Sequence, residues 1–218
     1  LKQNSRQYKR LNSMMTPMSK YYASEMCCEV SDTAIQVLGG SGYMQDYAAE
    51  RHLRDARITT IYEGTTGIQA NDLVGRKILM NGGETLGALL DEIAQTAGEL
   101  AEHADLADLG SALAGAVDEA RSATRWLLEN APKDSHAAGS AGVNLLLELG
   151  YLCGGWLMGQ SALRASSLLD AGDDRAFLEA KRVTARFYFE HLLPRAAACN
   201  AAVISGPATL MALTPDQF

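Results

Sequence analysis

The sequence predicts an all-α fold. Apolar residues recur at three- and four-residue intervals along most of the chain, and no segment alternates apolar with polar residues between turn signals as a hairpin would. Alanine and leucine, both strong helix formers, fill the second half. At 218 residues the chain can bury one substantial core, or two small helical ones.

Pro17 opens the first helix, Met18 to Leu38, because proline suits a helix's first turn. Met18, Tyr22, Met26, Val30, Ala34 and Leu38 then fall at helical spacing. Gly39-Gly40 ends it, as glycine commonly does just past a C-terminus. After a turn, Asp46 to Arg57 reads as a second helix rich in paired charges. A short extended piece, Thr59 to Tyr62, leads into a third helix from about Glu63 to Met80. Asn81-Gly82-Gly83 marks the expected domain boundary, dividing 1–80 from 81–218. Beyond it helices are expected near 84–104, 107–131, 137–170, 174–193 and 194–204, with breaks at His103-Ala104-Asp105, Ala131-Pro132 and Ala171-Gly172. Gly150, Gly154, Gly155 and Gly159 lie inside one of these. Each costs about 1 kcal/mol relative to alanine, so close contact with neighbouring helices is the expected reason for them. Trp126 and Trp156 read as core anchors, and the tail after Gly206-Pro207 as a loosely held end.

Composition narrows the function. A formal net charge of −7 argues against a nucleic-acid partner or an anionic membrane surface, since both need clustered Lys and Arg. Cys27, Cys28, Cys153 and Cys199 have neither zinc-knuckle nor redox-pair spacing, so they read as packing residues in a reducing, cytoplasmic compartment. The four histidines lie far apart without ligand spacing, and no metal site is expected. No segment reads as a signal peptide or membrane span: the most apolar stretch, Leu145 to Met158, is too short and is interrupted by Glu148. The opening Leu1-Lys2-Gln3-Asn4 suggests that the N-terminal part of a longer protein is missing.

Chemistry concentrates between Gln36 and Gln69. Glu63 follows the apolar, β-branched run Ile58-Thr59-Thr60-Ile61, which suggests a carboxylate emerging from protein rather than from a solvated face. Desolvation would raise its pKa and strengthen it as a proton acceptor, whereas a helix N-terminus at that place would favour the anion. Gly64 beside it lets backbone approach a ligand closely. On the residues alone, a buried or capping glutamate is the open alternative. Gly39-Gly40 likewise reads as a helix C-cap or as a phosphate-approached loop.

Three blocks stand here in order and at fitting spacing: Gln36-Val37-Leu38-Gly39-Gly40-Ser41-Gly42-Tyr43, then Arg54-Asp55-Ala56-Arg57-Ile58, then Ile61-Tyr62-Glu63-Gly64-Thr65. Together they resemble the flavin-contacting and catalytic-base motif of the acyl-CoA dehydrogenases, over residues 10–80 or so. The remainder resembles the extra C-terminal helical domain of one subgroup, the 3-methylmercaptopropionyl-CoA dehydrogenase-like enzymes. The resemblance implies a C-terminal helical half-bundle followed by an appended helical bundle, FAD as cofactor and an acyl-CoA thioester as substrate. It implies that Glu63 takes the α-proton while hydride leaves the β-carbon for the flavin, giving a 2-enoyl-CoA. Gly64 would offer its N–H to the thioester oxygen, and Tyr62 would line the cleft. Gln36, Gly39 and Gly40 would meet the ADP half of an FAD bound mainly to a neighbouring subunit, while Thr65 and Gly67 would touch the subunit's own. The family often has a longer polar residue where Gly67 stands. Arg54-Asp55 resembles an internal ion pair of the family. The implied partners are an electron-transfer flavoprotein or similar acceptor and further copies of the chain, as homodimer or homotetramer. The alternative is a non-catalytic α-helical oligomerisation module that keeps the motif only as a scaffold.

Overall fold

The computed structural model describes residues 2–171 and 174–217, with side chains described from residue 8 onward except at 170. All of these residues lie in helices, turns or irregular links, and no strand occurs among them. The first helix, α1, runs Lys2–Leu38, with Pro17 in its interior rather than at its start. An interior proline costs about 3 kcal/mol. Here Pro17 is buried beside Met14, Met18 and Tyr21, and full burial of one large apolar side chain is worth about 1.5–3 kcal/mol. Packing of that face therefore carries the helix through the proline. Past Ser24 the predicted stripe leaves the core, and Val30, Ala34 and Leu38 are exposed.

Where a turn was expected, a short helix α2, Gly40–Tyr43, folds back on the end of α1. Gly42 makes that approach possible, since a Cβ there would come within 2.7 Å of the Ile35 carbonyl oxygen. Helix α3 spans Ala49–Thr59, starting three residues later than predicted. The predicted extended piece is instead the end of α3 and a turn: the N–H groups of Ile61 and Tyr62 donate to the Ile58 carbonyl at 3.0 and 3.1 Å. A β-branched run has no strand to pair with here, so its propensity is overridden. Helix α4, Thr66–Asn71, continues as a π-helical turn, Asp72–Ile78, and a 3-10 turn, Leu79–Asn81. It begins after Glu63, because Glu63 (φ 54) and Gly64 (φ 97) are both left-handed.

Gly82 (φ 62) and Gly83 (φ 81) turn the chain into α5, Glu84–Glu102. Helices α6, Ala107–Asn130, α7, Ala137–Asp170, α8, Arg175–His191, and α9, Arg195–Ile204, follow close to their predicted bounds. Of the predicted break at Ala171-Gly172, Gly172 lies outside the described residues; Asp174 caps α8, accepting from the Phe177 N–H at 3.2 Å. The core is built around α7, which packs against α1, α4, α5, α6, α8 and α9. Ala137–Leu169 is long and apolar enough to cross a membrane by length and composition, but 67% of its most apolar window is buried in the protein. A helix apolar on every side is here a core helix. The expected close contacts at its glycines are made by side chains: Tyr22 fills the space at Gly150, Tyr188 at Gly154 and Leu100 at Gly159. Trp156 is buried and donates its indole N–H to the Thr96 hydroxyl at 2.9 Å, whereas Trp126 is only half-buried. All four cysteines are free; Cys153 and Cys199 are buried as expected, but Cys27 is exposed.

Candidate active site

The loop between α3 and α4 straddles α1. On one side Thr59, Tyr62 and Glu63 face Lys20, Ser24 and Cys27 across an open groove of about 300 Å³. On the other, Arg57, Thr60 and Thr65 face Glu25 and Cys28, and the Thr66 hydroxyl donates to the Glu25 carboxylate at 3.3 Å. Tyr62 and Glu63 thus stand at the rim of the first groove, and Gly64 follows them in the chain.

Glu63 is exposed, which corrects the expectation of a carboxylate emerging from protein. Ile58 and Ile61, expected to bury it, are themselves 52% and 49% exposed. This chain does not supply the desolvation. What it does fix is the backbone. Glu63 is the one non-glycine residue at positive φ among the described residues, a conformation that costs about 1–2 kcal/mol for an L-residue. Opposing that cost, the Gln69 carboxamide donates to the Glu63 carbonyl at 3.1 Å. The same amide nitrogen lies where a side chain at Gly64 would be, 2.6 Å from the position of a Cβ. Because α4 starts only at Thr66, Glu63 also lies outside the first helical turn, where the dipole acts most strongly.

The residues expected to meet the cofactor fall into two separated sets. Thr65 caps α4 by position, but its hydroxyl makes no capping bond, and at Gly67 nothing lies within 4 Å of the place a Cβ would take. Gln36, Gly39 and Gly40 occupy the exposed far end of α1, and open space likewise stands before Gly39 and Gly40. At 1.5 Å per residue, Gln36 lies roughly 16 Å along α1 from Glu25, the residue Thr66 touches. The two sets therefore lie at separate places on the chain. Bare backbone, a free hydroxyl and a carboxamide make up the two sets, donor chemistry that fits an anionic dinucleotide such as FAD, with the Glu25 carboxylate, which engages the Thr66 hydroxyl, as the acidic neighbour of Thr65.

Arg54 pairs with Glu50 at 2.9 Å on the exposed face of α3, not with the neighbouring Asp55. One helical turn separates Arg54 from Glu50, whereas adjacent residues point to different sides of a helix. Arg57 instead donates to the Thr60 hydroxyl and pins the turn that leads to Glu63. Tyr43, 80% exposed on α2, is not among the residues lining the Glu63 groove. No group of three metal-capable side chains occurs among the described residues. Sequence reading missed Lys20, Cys27 and Gln69. Gln69 alone left a signal, a polar residue one turn into the helix that follows Glu63-Gly64, and that signal is common in proteins.

Two family models match the chain, "Acyl-CoA dehydrogenase, C-terminal domain" over residues 3–78 and "Acetyl-CoA dehydrogenase C-terminal like" over residues 89–214. A 3-methylmercaptopropionyl-CoA dehydrogenase of Ruegeria pomeroyi is 39% identical over 183 residues, 82% of this chain and 31% of that protein. A broad-specificity linear acyl-CoA dehydrogenase of Mycobacterium tuberculosis is 34% identical over 194 residues, 85% of this chain and 32% of that protein. The human mitochondrial short-chain specific acyl-CoA dehydrogenase is 55% identical over 58 residues, 27% of this chain and 14% of that protein. The chain thus spans less than a third of the length of the curated relatives it matches.

Proposed function

From the premise that the chain belongs to the acyl-CoA dehydrogenase family, we propose that it carries the general base of an α,β-dehydrogenation of an acyl-CoA thioester to a 2-enoyl-CoA. Glu63 is that base. The observation that carries the reading is its backbone: a bulky residue is held left-handed at a groove rim, by a dedicated hydrogen bond, where an ordinary turn would cost less. Strain of that kind is retained where a side chain must be aimed. The Gly64 N–H donates to the thioester oxygen, which makes the α-proton more acidic, and the Tyr62 ring borders the acyl cleft. Glu63 holds the α-proton on its carboxylate once it is taken. FAD, when bound, supplies the acceptor for the hydride that leaves the β-carbon.

Thr65 and Gly67 meet the FAD of their own subunit, and Gln36, Gly39 and Gly40 meet that of a neighbour. Their separation along α1 supports this division. It also supports a homodimer or homotetramer, as do the apolar side chains left uncovered on the same end of the chain, Val37 at 80% and Tyr43 at 80% exposure among them. The remaining parts of the proposal rest on the family, namely residues 1–80 as its C-terminal helical domain, 81–218 as an appended domain of the 3-methylmercaptopropionyl-CoA dehydrogenase-like kind and an electron-transfer flavoprotein as acceptor, while a cytoplasmic location rests on the cysteine spacing. Those uncovered apolar side chains favour one second reading, an assembly module without catalysis.

The test uses the full-length flavin-loaded protein, mixed anaerobically with butyryl-CoA and other acyl-CoAs. Wild type should bleach the flavin, and Glu63→Gln should slow bleaching by at least about 10³-fold, the upper part of what losing a general base and its driving force costs. Equal rates would remove Glu63 from the mechanism and leave the assembly module standing.

A further inference from the structure

We propose that Gln69 is a positioning residue for the base, acting through the peptide plane that joins Glu63 to Gly64. The inference rests on the reading of Glu63 as the base and adds the device that orients it. Glu63 (φ 54) and Gly64 (φ 97) are consecutive left-handed residues, outside any regular element that would hold them by its own hydrogen bonds. The Gln69 side chain supplies the missing restraint by donating its Nε2–H to the Glu63 carbonyl at 3.1 Å. Its anchor is firm, because the Gln69 backbone N–H bonds the Thr65 carbonyl at 3.0 Å in the first turn of α4.

The peptide joining Glu63 to Gly64 is trans and planar, since no cis bond occurs among the described residues. In such a plane the C=O and N–H point in opposite directions. Holding the Glu63 carbonyl toward Gln69 therefore turns the Gly64 N–H away from Gln69. The same plane fixes the Glu63 ψ, and together with the left-handed Glu63 φ it sets where the Glu63 Cα–Cβ bond points. Glycine at 64 is required twice over: for its left-handed φ, and because a Cβ would fall 2.6 Å from the Gln69 amide nitrogen and expel the clasp. A single carboxamide thus holds the backbone that carries the proton acceptor.

A residue that only supports the loop should lower stability or substrate binding. One that aims the base should lower the rate of the chemical step alone. Gln69→Met keeps the length and apolar body but loses the donor; Gln69→Glu keeps the shape and turns the donor into a group that repels the Glu63 carbonyl. In the full-length flavin-loaded protein, both variants should reduce flavin at least tenfold more slowly at saturating acyl-CoA. The dissociation constant for acyl-CoA should stay within threefold of wild type, with flavin content and melting temperature retained. Wild-type reduction rates in both variants would overturn the inference, and so would a rate loss matched by an equal loss of binding or flavin. Glu63→Gln measured alongside separates the two claims. If it reduces flavin normally, the reading of the base fails; if it is inactive while Gln69→Met reacts at full rate, only the clasp fails.

Discussion

Glu148 shows at the scale of one residue what burial does when no charge partner exists. It is 1% exposed on α7, accepts from the Asn200 amide at 3.0 Å through one oxygen, and its other oxygen has no partner. Burial raises its pKa from 4.5 to about 7, more than the Asn200 hydrogen bond lowers it, and Glu119 nearby adds to the rise. In the folded state the proton is therefore kept in a window, between 4.5 and about 7, where the unfolded chain has lost it. Stability should fall as pH rises through that window and level off above it, by about 3 kcal/mol in all. Glu148→Gln should flatten that slope in urea titrations at pH 5, 6, 7 and 8; an unchanged slope would mean that another group carries the proton. Sequence showed Glu148 only as an interruption of an apolar stretch, because its partner Asn200 lies 52 residues away. Glu63 gives the opposite lesson. Its motif singled it out, but its exposure was misjudged, since the isoleucines before it are half exposed and no neighbouring strand covers them.

At the scale of elements, α1 carries one wall of the candidate site and is tied to the C-terminal helices by a few polar contacts. The hydroxyls of Tyr22 and Tyr188 bond at 2.9 Å, Tyr188 donates onward to the Tyr151 carbonyl at 3.1 Å, and Arg195 pairs with Glu29 at 2.8 Å. Gly154 leaves room for this triad, since a Cβ there would lie 2.0 Å from the Tyr188 hydroxyl oxygen. Gly154→Ala should destabilise by about 1–3 kcal/mol, the usual cost of overpacking. Tyr188→Phe should cost about 1 kcal/mol by removing the Tyr22 hydroxyl's partner, while the Tyr151 carbonyl, inside α7, keeps its helical bond. The double variant should cost less than the sum, because removing the hydroxyl removes part of the clash. Denaturation of all three would show it; strict additivity would mean that the glycine serves another contact. The glycines of α7 were legible as sites of close packing, but the tyrosines that fill them come from α1 and α8, and sequence spacing does not reveal such long-range pairs. Helices α5 to α9 were legible nearly to the residue because break signals such as Gly82-Gly83, His103-Ala104-Asp105 and Ala131-Pro132 mark their ends. Around Glu63 the prediction failed, because a pair of left-handed residues decides the structure there and helix periodicity does not register it.

For the whole molecule, buried side chains from Met14, Met18 and Tyr21 of α1 and from Ala70 to Val203 join one main cluster, while no residue between Tyr21 and Ala70 takes part in it. Exposed apolar side chains occur on the end of α1, on α2 and on the loop before α4, among them Val37, Tyr43, Ile61 and Tyr62, and also on α8 and the tail, as Phe177, Phe187 and Leu210 show. For Glu63 to act as the proposed base, its drying has to come from what covers its loop, since this chain leaves it exposed. The central claim, that Glu63 removes an α-proton, can be tested apart from hydride transfer. Acetyl-CoA has α-hydrogens but no β-carbon, so it can exchange without being dehydrogenated. Full-length flavin-loaded protein incubated with acetyl-CoA in deuterated buffer should place deuterium at the α-carbon, as read by mass spectrometry, and Glu63→Gln should leave it at the uncatalysed level. Equal incorporation by both proteins would contradict the account.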